Sequence, residues 1–100
     1  MLPLTVLTSA TAVLTWTANT ESDLAGYRVY YGEFPNVLNF SVDVGLTGTP
    51  SAPAYTISTF TRPAIWYMAV TAYDTSNNES AFSTVVSKVI GPAFYPMSWP

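Results

Sequence analysis

Apolar and polar residues alternate along several short segments of the chain, and turn residues bound each segment. A period of two places alternate side chains on opposite faces of a β-strand, and no segment sustains the 3.6-residue spacing of a helix. Ala12, Leu14 and Trp16 therefore share the inward face of one predicted strand. The inward faces of two further strands carry Tyr27, Val29 and Tyr31, and then Trp66, Met68, Val70 and Ala72.

Turn signals recur about every ten residues, which is typical of an antiparallel β-sandwich. We therefore predict an all-β, seven-stranded antiparallel β-sandwich in residues 1–90, followed by an apolar, proline-rich C-terminal arm in residues 91–100. The predicted strands lie near residues 4–7, 12–16, 27–31, 38–44, 55–57, 65–73 and 82–90.

The composition narrows the possible functions. Charged residues make up 9% of the chain, against about 25% in ordinary soluble domains. The net charge is -3 with only three basic residues, which argues against nucleic acid or an anionic membrane surface as a partner. Cysteine and histidine are absent, which removes thiol chemistry, disulfides and the commonest general base. We expect no enzyme activity, no cofactor and no metal site.

Carboxylates are the remaining candidates for chemistry. Glu21 and Asp23 lie in one predicted loop, and Asp74 and Glu79 lie in another loop at the same end of the sandwich. A glycosidase needs two carboxyl groups about 5 to 10 Å apart in a cleft that holds the sugar. A compact sandwich of this size offers loops but hardly a cleft, so the chain is predicted not to be an enzyme.

Asp74, Ser76 and Asn78 alternate as oxygen ligands do in a Ca²⁺ loop. Calcium requires six or more oxygens, and Glu79 occupies the position where an EF-hand loop has glycine. Asp, Ser and Asn are also the residues that cap and turn a hairpin. The turn is the favoured interpretation, and Ca²⁺ binding stays open.

Four stretches share the order and spacing of a known pattern: VLTW at 13–16, DLAGYRVYYG at 23–32, AVTAYD at 69–74 and NESAFS at 78–83. Together they resemble the fibronectin type III domains, particularly those of bacterial and phage proteins. The resemblance implies a scaffold or binding module, and the fold alone specifies no more than that. The Arg-Gly-Asp tripeptide of the integrin-binding members does not occur, so cell adhesion is not implied.

Two departures from the family pattern lead to structural expectations. The family places a tyrosine at the corner that enters the sixth strand, where its hydroxyl bonds to the backbone, and this chain has Trp66 there. An indole N–H still donates a hydrogen bond. Asn77 replaces a glycine in the turn before the last strand, and asparagine tolerates the positive φ of such a turn.

Four side chains are predicted to lie on the outward face of the sheet that contains the third and sixth predicted strands. Tyrosine and arginine are enriched at binding hot spots, and exposed aromatic rings also stack on sugars. Cross-strand aromatic pairing that only stabilises the sheet explains the same pattern equally well. These candidate partner-binding residues are Arg28, Tyr30, Tyr67 and Tyr73.

The C-terminal arm is the second candidate binding element. Residues 89–100 carry no charge, and three prolines make the arm extended and fairly stiff. Its large apolar side chains favour docking onto a neighbouring subunit, while packing against its own sandwich stays the alternative. These side chains are Phe94, Tyr95, Met97 and Trp99.

Together these features favour a structural interaction module, a subunit or decoration protein of a larger assembly such as a phage or virus particle. Its expected partners are protein, from the same or other subunits, and its expected location is a virion or an extracellular surface. No signal peptide is evident, because no basic residue precedes the first apolar run. The alternative is a carbohydrate- or surface-binding accessory module of a secreted bacterial enzyme or adhesin.

Overall fold

A computed structural model describes residues 11–48 and 51–91 of the chain. This part of the chain contains six β-strands and no helix, so none of its elements is a helix that could cross a membrane. The strands are β1 (Ala12–Thr15), β2 (Leu24–Gly32), β3 (Phe40–Gly45), β4 (Ala54–Ile57), β5 (Ala64–Asp74) and β6 (Val86–Ile90).

The strands form two antiparallel sheets. One sheet pairs β1 with β4, and the other has the order β3-β2-β5-β6. Buried side chains from both sheets meet in one core, which is the arrangement of a β-sandwich. The predicted strand near residues 4–7 lies outside the described residues, as does most of the arm. The all-β class and the two antiparallel sheets are confirmed, with six strands described instead of seven.

The alternation in the sequence gives the correct faces for β1 and β2. Ala12 is buried, whereas Val13 beside it is 66% exposed. In β2, Tyr27, Val29 and Tyr31 are all buried. These side chains pack inward because each lies two residues from the next on a pleated strand.

Trp66 is fully buried at the centre of the core. Its ring centroid lies 5.2 Å from the ring centroid of Phe60 and 5.9 Å from that of Tyr31. Its indole nitrogen donates a hydrogen bond to the Arg62 carbonyl oxygen at 2.9 Å. The expectation that this tryptophan bonds to the backbone at the corner is therefore confirmed.

The outward face of β5 differs from the prediction at two positions. Ala69 and Thr71 alternate with the core residues as predicted, but each is only 3% exposed. Tyr30 is the register partner of Ala69, and its ring packs against that of Phe82 at 4.9 Å. Thr71 donates its hydroxyl to Glu79 at 2.6 Å. Side chains from β2 and from the chain before β6 thus cover the middle of this face.

The last strand is shorter than predicted, because residues 80–83 pair with β5 through serine hydroxyls. Ser80 donates its N–H to the Ala72 carbonyl at 2.8 Å, and its Oγ accepts the Ala72 N–H at 3.0 Å. Ser83 makes the same two contacts with Val70, each at 2.9 Å. Ala81 and Phe82, the two residues between the serines, oppose one residue of β5, Thr71, so the regular ladder begins only at Val86.

Candidate functional site

The candidate site is a group of polar and aromatic side chains on the outer face of the four-stranded sheet, the face directed away from the core. Strands β2, β3 and β5 and the turn after β5 each contribute at least one side chain. The group is called the outer-face cluster below and consists of Arg28, Tyr30, Asp43, Thr71, Tyr73, Asn77 and Glu79.

Glu79 is the centre of the outer-face cluster. Its carboxylate accepts hydrogen bonds from the hydroxyls of Thr71 and Tyr30, and it pairs with the Arg28 guanidinium at 2.9 Å. The Thr71 bond, followed by the Tyr30 bond, lowers the pKa of Glu79. The same contact raises the pKa of the Tyr30 hydroxyl, since it would have to ionise beside a carboxylate.

Arg28 joins the carboxylate to the aromatic part of the cluster. Its second terminal nitrogen donates to Asn77 Oδ1 at 2.9 Å, and the guanidinium carbon lies 4.1 Å from the centroid of the Tyr73 ring. The Tyr73 hydroxyl donates to Asp43 at 2.7 Å. This bond, together with the Gly45 N–H, lowers the pKa of Asp43.

Gly26 makes room for this arrangement. It is the register partner of Tyr73, and a Cβ atom at this position would lie 2.5 Å from the Tyr73 hydroxyl oxygen. The Cβ would also lie 2.9 Å from the backbone of Gly45. Glycine is therefore required where the Tyr73 side chain crosses from β5 towards β3.

Three of the four predicted outward residues come together and the fourth does not. Arg28, Tyr30 and Tyr73 belong to the outer-face cluster. Tyr67 lies on the same face beside Gly32 and Ser87, but it is about 20 Å along β5 from Tyr73. The predicted arm residues Phe94, Tyr95, Met97 and Trp99 lie outside the described residues.

Phe82 is a surface residue that the sequence interpretation missed. Its ring packs against Tyr30, and half of the side chain remains exposed. The alternating pattern predicted that the last strand begins at Phe82 and did not show which face of the sheet this side chain would occupy. The available signal was its position two residues after Ser80, in the segment that returns along β5.

The Asp74 loop is built as a turn. Asp74 Oδ1 accepts the backbone N–H groups of Ser76 and Asn78, and Oδ2 accepts the Asn78 side-chain amide. The Asn78 backbone contact is the main reason that the pKa of Asp74 is lowered. No group of three or more acidic, histidine or cysteine side chains suited to a metal ion occurs in residues 11–48 and 51–91. The turn interpretation agrees with this geometry.

Asn77 has a φ of 62°, in the left-handed region expected for this turn. We expect Asn77→Ala to lower the free energy of unfolding by about 1–2 kcal/mol, because alanine disfavours this conformation. Asn77→Gly should cost clearly less, since both variants lose the Arg28 contact but glycine accepts the backbone angle. Urea denaturation of both variants is the measurement, and equal losses would contradict the role of the backbone angle.

The four carboxylates named in the sequence analysis lie around one shallow depression of about 250 Å³. The prediction that their two loops share one end of the sandwich is thus confirmed. Asp74 and Glu79 are already engaged with the protein, and Glu21 accepts a bond from the Asn19 side chain at 3.3 Å. The depression therefore holds carboxylates that are mostly engaged in local contacts.

A separate groove of about 420 Å³ lies between β1 and residues 80–86. Its wall includes Trp16, whose ring meets Tyr27 edge-on at 5.2 Å. The Trp16 indole nitrogen is buried, and no acceptor in the described part of the chain bonds to it. The Trp16 ring thus forms part of a mixed polar and apolar wall, and its indole nitrogen lies beneath the surface without an acceptor among the described residues.

Comparison with known proteins gives no relative whose function could be transferred to this chain. No protein-family model matches the chain, and no curated protein or solved structure matches it significantly.

Proposed function

We propose that the chain is a non-enzymatic structural and interaction module, a subunit or decoration protein of a larger assembly such as a phage or virus particle. It binds neighbouring protein through the outer sheet face and the apolar C-terminal arm. The observation that carries this proposal is the Tyr30–Phe82 aromatic pair beside the ion-paired Arg28 and Glu79. An aromatic centre with a polar rim is the usual anatomy of a protein interface.

The cluster suits a protein surface better than a sugar. The hydroxyls of Tyr30 and Tyr73 both donate to carboxylates, so their protons are not available to a glycan. Arg28 covers one side of the Tyr73 ring, which leaves a single side for stacking. A rigid face of this kind loses little side-chain entropy when a complementary protein docks on it.

The arm supplies the larger apolar surface. Each of Phe94, Tyr95, Met97 and Trp99 would contribute about 1.5–3 kcal/mol before ordering costs if a neighbour buried it. The prolines restrict the unbound arm and so reduce the entropy lost on docking. The arm is proposed to dock onto an adjacent subunit.

We further propose that the sandwich is of the fibronectin type III kind, with residues 4–7 as its seventh strand. The sheet order β3-β2-β5-β6, the corner bond of Trp66 and the positive φ of Asn77 support this assignment. The assignment carries no activity of its own, because many unrelated functions use this fold.

The arm is tested by light scattering after size exclusion across a concentration series. The full chain is expected to self-associate, and a variant with Phe94→Ser and Trp99→Ser should associate at least about tenfold more weakly. Phe34→Ser is the matched control, because Phe34 is an exposed phenylalanine in the β2–β3 connection. Unchanged association of the arm variant would contradict docking of the arm between copies, and glycan-array binding lost in Tyr30→Ala would favour the carbohydrate alternative.

A further inference from the structure

The outer edge of β6 is an unpaired strand edge within the described part of the chain. β6 pairs with β5 on one side, and no strand in residues 11–48 and 51–91 pairs with its other side. Four of its five residues are exposed. An edge strand presents a row of backbone N–H and C=O groups that can template another strand.

Charge does not protect this edge. Lys88 is the only charged residue from Ser80 to Pro100. Its Nζ donates to the Thr11 carbonyl oxygen at 2.6 Å, so the ammonium group is held against the same chain. Lysine on an edge strand normally opposes pairing, because its charge projects towards any incoming strand.

Exposed apolar side chains also gather at this edge. Val89 is 73% exposed, and its register partner Ile65 and the nearby Val85 and Val86 are exposed as well. The uncharged arm begins directly after β6, at Gly91. The backbone edge and the exposed apolar side chains thus form one surface with a single, engaged charge, and the sequence of the arm follows directly after it.

We propose that β6 pairs antiparallel with β6 of a second copy of this chain, about a twofold axis at Ser87. Antiparallel pairing of identical strands is self-complementary, because a twofold axis relates each contact to its equivalent. The proposal rests on the proposed function and deepens it, since it names the partner and the edge. The paired sheets join into one continuous sheet, from which both arms leave near the interface.

The side chains select the register. An axis at Ser87 sets Val89 opposite Val85 of the second copy and Lys88 opposite Val86 of the second copy. An axis at Lys88 would instead place two ammonium groups opposite each other, which is unfavourable. Ser87 and Val89 point outward, because their register partners Tyr67 and Ile65 lie on the outer face.

A cysteine scan tests the register in the full-length chain, which contains no native cysteine. Directly opposed residues in antiparallel strands have Cα atoms about 4.5–5.5 Å apart, within the range that a disulfide spans. Ser87→Cys is therefore expected to form a disulfide-linked dimer under mild oxidation. Ser41→Cys on β3, the other edge strand of the same sheet, is the matched control and should stay largely monomeric on a non-reducing gel.

A charge substitution tests the energetics by light scattering. Val89→Lys should weaken dimerisation by about tenfold or more, because it adds two like charges near the axis and removes apolar contact. Val13→Lys is the matched control, since Val13 is 66% exposed on the outer face of the two-stranded sheet, the opposite side of the sandwich from Val89. Dimerisation that is unchanged in Val89→Lys, or equal cross-linking of Ser87→Cys and Ser41→Cys, overturns the proposal.

The outcomes separate this inference from the proposed role of the arm. If Val89→Lys loses the dimer and the variant with Phe94→Ser and Trp99→Ser retains it, β6 pairing is supported and docking of the arm between copies is rejected. If only the arm variant loses the dimer, β6 pairing is rejected and docking of the arm between copies is supported. A chain that stays monomeric at every concentration, with no Ser87→Cys cross-link, rejects both β6 pairing and docking of the arm between copies of this chain.

Discussion

Replacing Trp66 with alanine is expected to lower the free energy of unfolding by about 3–5 kcal/mol, the cost of emptying a large aromatic site in a packed core. Trp66 is fully buried and packs against Phe60, Tyr31 and Phe40. Rings from β2, β3 and the β4–β5 connection would lose their common contact. A loss of this size is a large part of the stability of an ordinary domain, so the denaturation midpoint of the variant should lie well below that of the parent chain.

The contribution of the Trp66 hydrogen bond is tested by comparing the loss of unfolding free energy in two variants, Trp66→Phe and Trp16→Phe. Trp66→Phe loses the bond to the Arg62 carbonyl and part of the ring, whereas Trp16→Phe loses an indole nitrogen that has no partner among the described residues. Trp66→Phe should therefore cost about 1 kcal/mol more than Trp16→Phe. Guanidinium denaturation followed by fluorescence measures both variants, and an equal cost would refute a stabilising role for the corner bond.

Local pattern was enough to predict the core. The inward faces of β1 and β2 follow from alternation alone, because a one-residue slip would bury Val13 or Arg28 in place of their neighbours. The left-handed turn at Asn77 was expected from the resemblance, which has glycine at this position, and asparagine tolerates that backbone angle. Both inferences use only residues close together in the sequence.

The outer-face cluster depends on distant pairings that local pattern does not contain. Glu79 reaches Arg28 and Tyr30 across about fifty positions of the chain. Those contacts need the β2–β5 register and the path of residues 80–83 along β5, where serine hydroxyls replace backbone acceptors. Period-two alternation cannot show this substitution, so the last strand was predicted to begin too early.

Close backbone packing was equally hidden. A Cβ at Gly32 would lie 2.1 Å from the Val37 carbonyl oxygen, so the β2–β3 connection folds directly over this position. The sequence indicated only that glycine ends the strand. Tyr67 lies beside this crossing, because Gly32 is its register partner, and its distance from Tyr73 follows from its position near the start of β5.

Replacing Glu79 with alanine is expected to lower the free energy of unfolding by about 2 kcal/mol, because three hydrogen-bonding partners lose a charged acceptor. The Thr71 hydroxyl is the most costly of them, since Thr71 is buried and would lose the carboxylate to which it donates. Glu33→Ala is the matched control. Glu33 pairs with Arg62, whose side chain is largely exposed, so its loss should cost less than about 1 kcal/mol.

The pH dependence of stability tests the same carboxylate independently. The pKa of Glu79 is lower in the folded chain than in the unfolded chain, so its contribution is present above the ordinary carboxylate range of about pH 4 and is lost as the pH falls through the folded pKa. The pKa of Tyr30 is raised by the same contact, so that contribution is lost at strongly alkaline pH.

Glu79→Gln should therefore be destabilised most near neutral pH and should approach the parent chain in acid. Urea titrations between pH 2 and 8 measure this difference, and a gap that stays constant across the acid range would show that the Glu79 charge does not stabilise the cluster, because glutamine cannot be protonated in that range while glutamate is.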